Sequence, residues 1–203
     1  MKAFRAFCRN EYIEDPEEYL KKRFPGKEYI KTDERSIPDD KVPPYIIMER
    51  NGCVVNAAAS MLQYSLKPHI SRSEALNTCR GIAERLDIKT RKNGYYVPLG
   101  RTSQFLECCA KELGSCGRAK SSLFVKSTAI REINAGRPVF INIAVSRQYY
   151  DHTVIAYGWK VYRHSDGGGR KILFFKIRDG YSNAPRYLIY RRIFGVFTTV
   201  FVV

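Results

Sequence analysis

The sequence predicts an α+β fold in which a helical half is followed by an antiparallel sheet. Residues 45–136 place apolar side chains at helical spacing, whereas residues 137–203 consist of β-branched and aromatic runs separated by turn residues. Helices first and strands second is an α+β order rather than the alternation of a parallel α/β sheet. A chain of 203 residues is long enough for one sizeable core, or for two lobes that share a cleft.

Residues 1–44 are charged and rich in proline, so they are expected to form an extended N-terminal arm outside the main domain, residues 45–203. One short helix is predicted from Pro16, a residue favoured at the first helical position, to about Phe24. The first residues lack the continuous apolar stretch of a signal peptide. This fits a cytoplasmic protein, or a secreted one whose sequence begins after a removed signal.

The helical half, residues 45–136, is predicted to hold four helices. The first, residues 53–65, is apolar almost all round and should therefore be buried. The second opens with the capping box Ser71-x-x-Glu74. The third is predicted from about Ser103 to the stop signal Gly114, and the fourth from Ser127 to Gly136.

The β half, residues 137–203, is predicted to hold five strands, at residues 139–145, 153–162, 171–178, 186–192 and 196–203. Glycines in Asp166-Gly-Gly-Gly169 indicate a hairpin turn between the second and third of these strands. No helix follows the glycines, so they do not form a phosphate cradle.

The composition narrows the classes of partner and cofactor. Thirty-five Lys and Arg against twenty Asp and Glu give a net charge of +15, which favours acidic partners or substrates. The basic residues are dispersed, and the chain carries no dedicated nucleic-acid motif. No apolar run is long enough for a membrane span. The six cysteines show no metal-ligand spacing, so neither a metal nor an organic cofactor is expected.

Cys53 differs from the other cysteines in its setting. It follows the turn dipeptide Asn51-Gly52 and begins the buried helix. A thiol at a helix N-terminus experiences the positive end of the helix dipole, which favours the thiolate. Cys53 is therefore the candidate nucleophile; the alternative is a cysteine that only packs in the core.

His152 and Asp179 are the candidate partners of this thiol. His152 begins an apolar strand that can fix its ring, and Asp179 ends the next strand. If the glycine turn makes these two strands an antiparallel hairpin, the end of one lies beside the start of the other. Asp179 would then accept the imidazole N–H and fix its tautomer. Each residue alone also has a purely structural interpretation, as a strand-edge histidine and a turn aspartate.

Four patches of sequence resemble the papain-like cysteine peptidases, and most closely their streptopain-like and bacteriocin-processing-like branches. They are Gly52-Cys-Val-Val-Asn-Ala-Ala-Ala-Ser-Met-Leu-Gln-Tyr64, Asn134-Ala-Gly-Arg-Pro-Val-Phe140, His152-Thr-Val-Ile-Ala-Tyr-Gly-Trp159 and Ile177-Arg-Asp-Gly-Tyr181. The order Cys, His, Asp matches as well. The resemblance implies a helical lobe carrying the nucleophile helix, packed against an antiparallel, barrel-like sheet, with catalytic groups facing across a groove.

The resemblance also implies a chemistry. A Cys53–His152–Asp179 triad would hydrolyse peptide or amide bonds through a thioester acyl-enzyme. The family places a Gln about six residues before its cysteine, where this chain has Ile47, so Asn51 is the nearest side chain for an oxyanion hole. Two alternatives stay open: an amidase, deamidase or transglutaminase-like enzyme with the same triad, and an inactive binding module with a basic surface.

Overall fold

The fold is described from a computed structural model, which covers residues 12–44, 52–66, 68–88, 95, 97–143, 149, 152–169, 171–190 and 197–203. These residues form five α-helices: α1 (Pro16–Arg23), α2 (Cys53–Ser65), α3 (Arg72–Arg85), α4 (Thr102–Glu112) and α5 (Val125–Asn134). They also form seven strands: β1 (Tyr29–Ser36), β2 (Arg118–Ser122), β3 (Val139–Ile143), β4 (His152–His164), β5 (Ile172–Arg178), β6 (Arg186–Ile189) and β7 (Phe197–Val202). The predicted α+β class with an antiparallel sheet is confirmed.

All seven strands join one antiparallel sheet. Six of them follow the order β2-β7-β3-β4-β5-β6, and β1 pairs with β4 outside this order. The long strand β4 pairs with β3 along its first half and with β1 along its second half. Both partners lie on the same edge of β4. Gly158 lies at this change of partner, where a Cβ atom would stand 3.0 Å from Ser36 Oγ and 3.1 Å from the Arg35 carbonyl oxygen. Only glycine lets β1 approach this closely.

The sequence analysis missed two strands, β1 and β2. β1 reads Tyr-Ile-Lys-Thr-Asp-Glu-Arg-Ser, and all but the first of its side chains are exposed. β2 reads Arg-Ala-Lys-Ser-Ser and buries only Ala119. Strands that bury so few side chains lack the apolar alternation by which a strand is recognised.

Helices α2 and α4 cover one face of the sheet, and α3 packs against both of these helices. α2 is enclosed as predicted, since every residue from Val54 to Leu62 is buried. Its small Ala57 and Ala58 side chains are fully buried and belong to the core shared with Ile155 and Tyr157 of β4. A separate core on the other face of the sheet holds α5 against β3, β4 and β7. The buried helix α2 is therefore fixed directly against β4.

Residues 12–44 pack along the β half. Ile13 forms an isolated bridge with Tyr187 of β6, and Leu20 of α1 is buried in a third core beside Phe174. Further along, the Ser60 hydroxyl of α2 donates to the Pro43 carbonyl oxygen at 2.6 Å. The predicted arm thus contributes a helix and a sheet strand. No helix within the described residues has the length and apolar character to cross a membrane.

Candidate active site

Cys53 is the first residue of α2, and Gly52 is the N-cap. Gly52 offers no side chain to cap the helix, and the Val54 N–H of the first turn lies beside the thiol. Asn56 stabilises this turn from within, since its Nδ2 donates to the Gly52 carbonyl oxygen at 3.2 Å. The helix start predicted from the sequence is therefore where the structure places the cysteine.

The Cys53 sulfur lies against β4. Burial raises the pKa of the thiol, and the backbone N–H groups of Thr153 and Val54 oppose that rise; the Thr153 side chain also lies beside the sulfur. The net direction is upward, so the resting group is a neutral thiol. This differs from the sequence-based expectation of a thiolate, because desolvation outweighs the helix-terminus effect here.

His152 is the first residue of β4 and is buried, with 3% of its surface exposed. Its Nε2 lies 2.6 Å from the backbone carbonyl oxygen of Asp179. A carbonyl oxygen only accepts, so Nε2 carries the hydrogen and Nδ1 keeps its lone pair. Burial lowers the pKa of the imidazole, although the hydrogen bond to Asp179 and the charge of Asp179 partly offset this. The resting ring is therefore a neutral base.

Asp179 lies beside His152, but its carboxylate is directed elsewhere. Oδ2 accepts from the Tyr149 hydroxyl at 2.9 Å and pairs with the Arg186 guanidinium at 2.7 Å, while Oδ1 accepts from the Tyr181 N–H at 3.0 Å. The expected carboxylate-to-imidazole hydrogen bond is thus replaced by a carbonyl-to-imidazole one. The physical reason is Arg186, a cation that the sequence analysis did not consider.

Two tyrosine rings, Tyr149 and Tyr181, stack on the imidazole, and Tyr12 packs against both of them; we call these three residues the tyrosine cluster. Tyr181 stacks on His152 with centroids 4.8 Å apart, and Tyr149 stacks at 5.5 Å. Tyr12 contacts both of these tyrosines, and its ring lies 3.9 Å from the Arg186 guanidinium carbon. Burial, together with the neighbouring Cys53, raises the pKa of Tyr181 to about 12.

The structure brings His152 and Asp179 into direct contact, and it places Cys53 beside the strand that His152 begins. Cys53 contacts residue 153, His152 precedes it in the strand, and Asp179 binds the imidazole. Within the described residues no direct hydrogen bond joins the thiol to the imidazole. The candidate oxyanion residue, Asn51, lies outside the described residues.

Among the described residues, no group of three or more His, Cys, Asp or Glu side chains is arranged to hold a metal ion. The donor groups at the site are one thiol, one imidazole and one carboxylate. That carboxylate is already engaged by Arg186, Tyr149 and Tyr181.

Comparison with known proteins adds no assignment. No family model matches the chain, and no curated protein is significantly similar to it.

Sequence reasoning missed Thr153, Tyr149, Tyr181 and Arg186. Thr153 and Tyr181 stood inside the patches used for the resemblance, but their roles depend on which face of the strand each side chain occupies. Tyr149 and Arg186 contact the site through Asp179. The sequence offered one signal for Tyr181. It follows the Asp179-Gly180 turn, and Gly180 (φ 80°) lets the chain bend back toward the strand.

Proposed function

We propose that the protein is a papain-like cysteine hydrolase that cleaves peptide or amide bonds, with Cys53 as nucleophile and His152 as general acid and base. The observation that carries this proposal is the meeting of the Cys53 thiol with β4 at the residue after His152. A thiol at a helix start, a neutral imidazole and a group that orients the imidazole are the parts that acyl transfer needs.

The reaction begins from a neutral pair. As the sulfur attacks the substrate carbonyl carbon, the thiol proton passes to Nδ1 of His152, and the carbonyl π electrons move to oxygen. When the tetrahedral intermediate collapses, the C–N bond breaks and the imidazolium gives its proton to the leaving amine, so a thioester remains. His152 then takes a proton from water, whose oxygen attacks the thioester and releases the acid and the thiol.

Asp179 has the role of a positioning residue in this scheme. Its carbonyl oxygen keeps the hydrogen on Nε2, which leaves the Nδ1 lone pair for the thiol proton. The negative charge of its carboxylate also stabilises the imidazolium that forms during the reaction. The substrate is a peptide or a protein, and the net charge of +15 favours acidic ones.

One observation favours a different class of function, a binding module without catalysis. His152 is nearly enclosed, and Tyr181 stacks against its ring. An enzyme with this site requires the tyrosine cluster to move aside or to form part of the substrate-binding wall.

Mass spectrometry of a peptide and protein panel treated with the full chain tests the proposal. Cleavage is expected, and Cys53→Ala and His152→Ala should each abolish it. Cys116→Ala is the matched control, because Cys116 is an exposed cysteine elsewhere in the fold. A mass increase of about 1 Da at Gln or Asn, or covalent cross-linking, would instead identify the deamidase or transglutaminase-like chemistry. Modification that persists in Cys53→Ala, or none in any substrate, would overturn the proposal.

A further inference from the structure

A row of polar side chains crosses the sheet on the face that packs against α2 and α4. It joins Thr153 of β4, Asn142 of β3, Thr199 of β7 and Ser121 of β2. Thr153 Oγ1 donates to Asn142 Oδ1 at 2.8 Å, Asn142 Nδ2 donates to Thr199 Oγ1 at 3.0 Å, and the Thr199 and Ser121 hydroxyls are 3.3 Å apart. One end of this row meets the Cys53 thiol at Thr153.

Asn142 is the centre of the row and is fully buried in the otherwise apolar strand Val-Phe-Ile-Asn-Ile. Its Oδ1 accepts from Thr153 and also from Thr102 at 3.5 Å, and its Nδ2 donates to Thr199. A buried amide without partners would be costly, so these bonds fix its orientation. The hydroxyl hydrogen of Thr153 is thereby held toward Asn142.

Thr153 offers the sulfur two different groups. Its backbone N–H points a hydrogen at the sulfur in every state, and this favours the thiolate. Its hydroxyl presents a lone pair while the hydrogen is held by Asn142, and this suits the neutral thiol. On loss of the thiol proton the hydroxyl can rotate and donate to the sulfur, at the cost of its bond to Asn142.

We propose that Thr153 is a further residue of the site, in contact with the reacting sulfur. We propose in addition that Asn142 is a positioning residue that competes with the sulfur for the Thr153 hydroxyl hydrogen. The inference rests on Cys53 being the nucleophile of the proposed function. The other titratable groups facing this position are His152, its partner Asp179, and Tyr181.

The test is the pH profile of Cys53 alkylation by iodoacetamide, measured on the full chain by peptide mass spectrometry. Thr153→Val keeps the shape and the backbone N–H but removes the hydroxyl donor. Alkylation near neutral pH should therefore fall about fivefold, the effect of one hydrogen bond, and the profile should move to higher pH. Thr153→Ser keeps the hydroxyl and should restore the original profile.

Asn142→Val provides the opposite expectation. It frees the Thr153 hydroxyl for the thiolate, so alkylation should become faster and the profile should move to lower pH. Thr199→Val is the matched control, because it removes a buried partner of Asn142 without touching the bond to Thr153. If Asn142→Val does not fold, the Thr153→Val and Thr153→Ser pair decides alone.

An unchanged profile in Thr153→Val, or shifts of Thr153→Val and Asn142→Val in the same direction, would overturn the inference. Alkylation needs no turnover, so the result is independent of the proposed function. That function fails on a different measurement, substrate modification that persists in Cys53→Ala.

Discussion

The backbone carbonyl of Asp179 accepts the Nε2 hydrogen of His152 at 2.6 Å, while the Asp179 carboxylate binds Arg186 at 2.7 Å. The backbone carbonyl and the side-chain carboxylate of Asp179 therefore have different roles. The carbonyl orients the ring, and the buried ion pair fixes the turn that presents this carbonyl. Changes to the Asp179 side chain should consequently act through the position of the backbone as well as through loss of the carboxylate charge.

Asp179→Ala is expected to lower the free energy of unfolding and to leave part of the activity. The substitution leaves the Arg186 guanidinium, whose side chain is only 12% exposed, without the negative charge of the Asp179 carboxylate. Removing one partner of a buried pair typically costs about 3–5 kcal/mol. Urea denaturation would measure this loss, and the turnover that survives reports how well the carbonyl still orients the imidazole.

A control for this change is Glu34→Gln, which breaks the surface pair between Lys31 and Glu34, with side chains 36% and 48% exposed. Such pairs contribute about 0–1 kcal/mol. Equal losses in the two variants would show that the Asp179–Arg186 pair has no special role in the fold.

The lowered pKa of His152 predicts that the protein becomes less stable in mild acid. Burial lowers the pKa of its ring below the ordinary 6.5, so the unfolded chain gains a proton at a pH where the folded chain does not. Stability present above pH 6.5 is then lost as the pH falls through that value toward the folded pKa, by up to about 1.4 kcal/mol per pH unit. Urea denaturation between pH 7.5 and 5.5 would measure the slope.

The slope should disappear in His152→Gln and persist in His69→Gln, because His69 is exposed. Four described carboxylates have lowered pKa values in the fold and therefore titrate below this window: Glu34, Asp39, Glu132 and Asp166. For Asp39 and Glu132, the two that are partly buried, this is clear from their starting values. Their ordinary values are 3.8 and 4.5. A His152→Gln protein with the wild-type slope would show that another group titrates.

Much of the fold follows from the sequence because the pattern is strong where burial is complete. Residues 53–65 are apolar all round and form the most enclosed helix. The glycine turn at 166–169 forces β4 and β5 to pair antiparallel, with Ile155 opposite Arg178. That register brings residue 179 back to residue 152, as the sequence analysis inferred.

The rest could not be read from the sequence because it depends on competition between partners. Nothing local indicates that the Asp179 carboxylate binds Arg186 of the next strand rather than His152. Likewise, the position of Cys53 at a helix start favours a thiolate, whereas burial of the sulfur in the fold raises the pKa of the thiol. Desolvation of a site is a property of the whole fold.

The net charge of +15 predicts that binding of acidic substrates weakens with salt. The Debye length shortens from about 10 Å at 0.1 M to about 3 Å at 1 M, so long-range attraction is lost over this range. The rate constant kcat/KM of an acidic peptide should fall, and that of a matched neutral peptide should not. A fall of equal size for both peptides would point to a general effect of salt on the enzyme.

The final prediction concerns residues 12–44, which pack on the sheet and contribute β1. Deletion of residues 1–40 removes β1, one of the two strands that pair with the second half of β4, and exposes the core that contains Leu20, which is 2% exposed. The truncated protein should be insoluble or much less stable. Leu20→Ala isolates the packing part of this effect and should cost about 2–5 kcal/mol in urea denaturation. Leu123→Ala is its control, since 83% of Leu123 is exposed and its removal should change little. A deletion of residues 1–11 removes no contact described above and tests the end of the segment alone. If the chain without residues 1–40 is instead stable and more active than the full chain, the segment is a removable propeptide that restrains the site, and its assignment to the permanent fold is wrong.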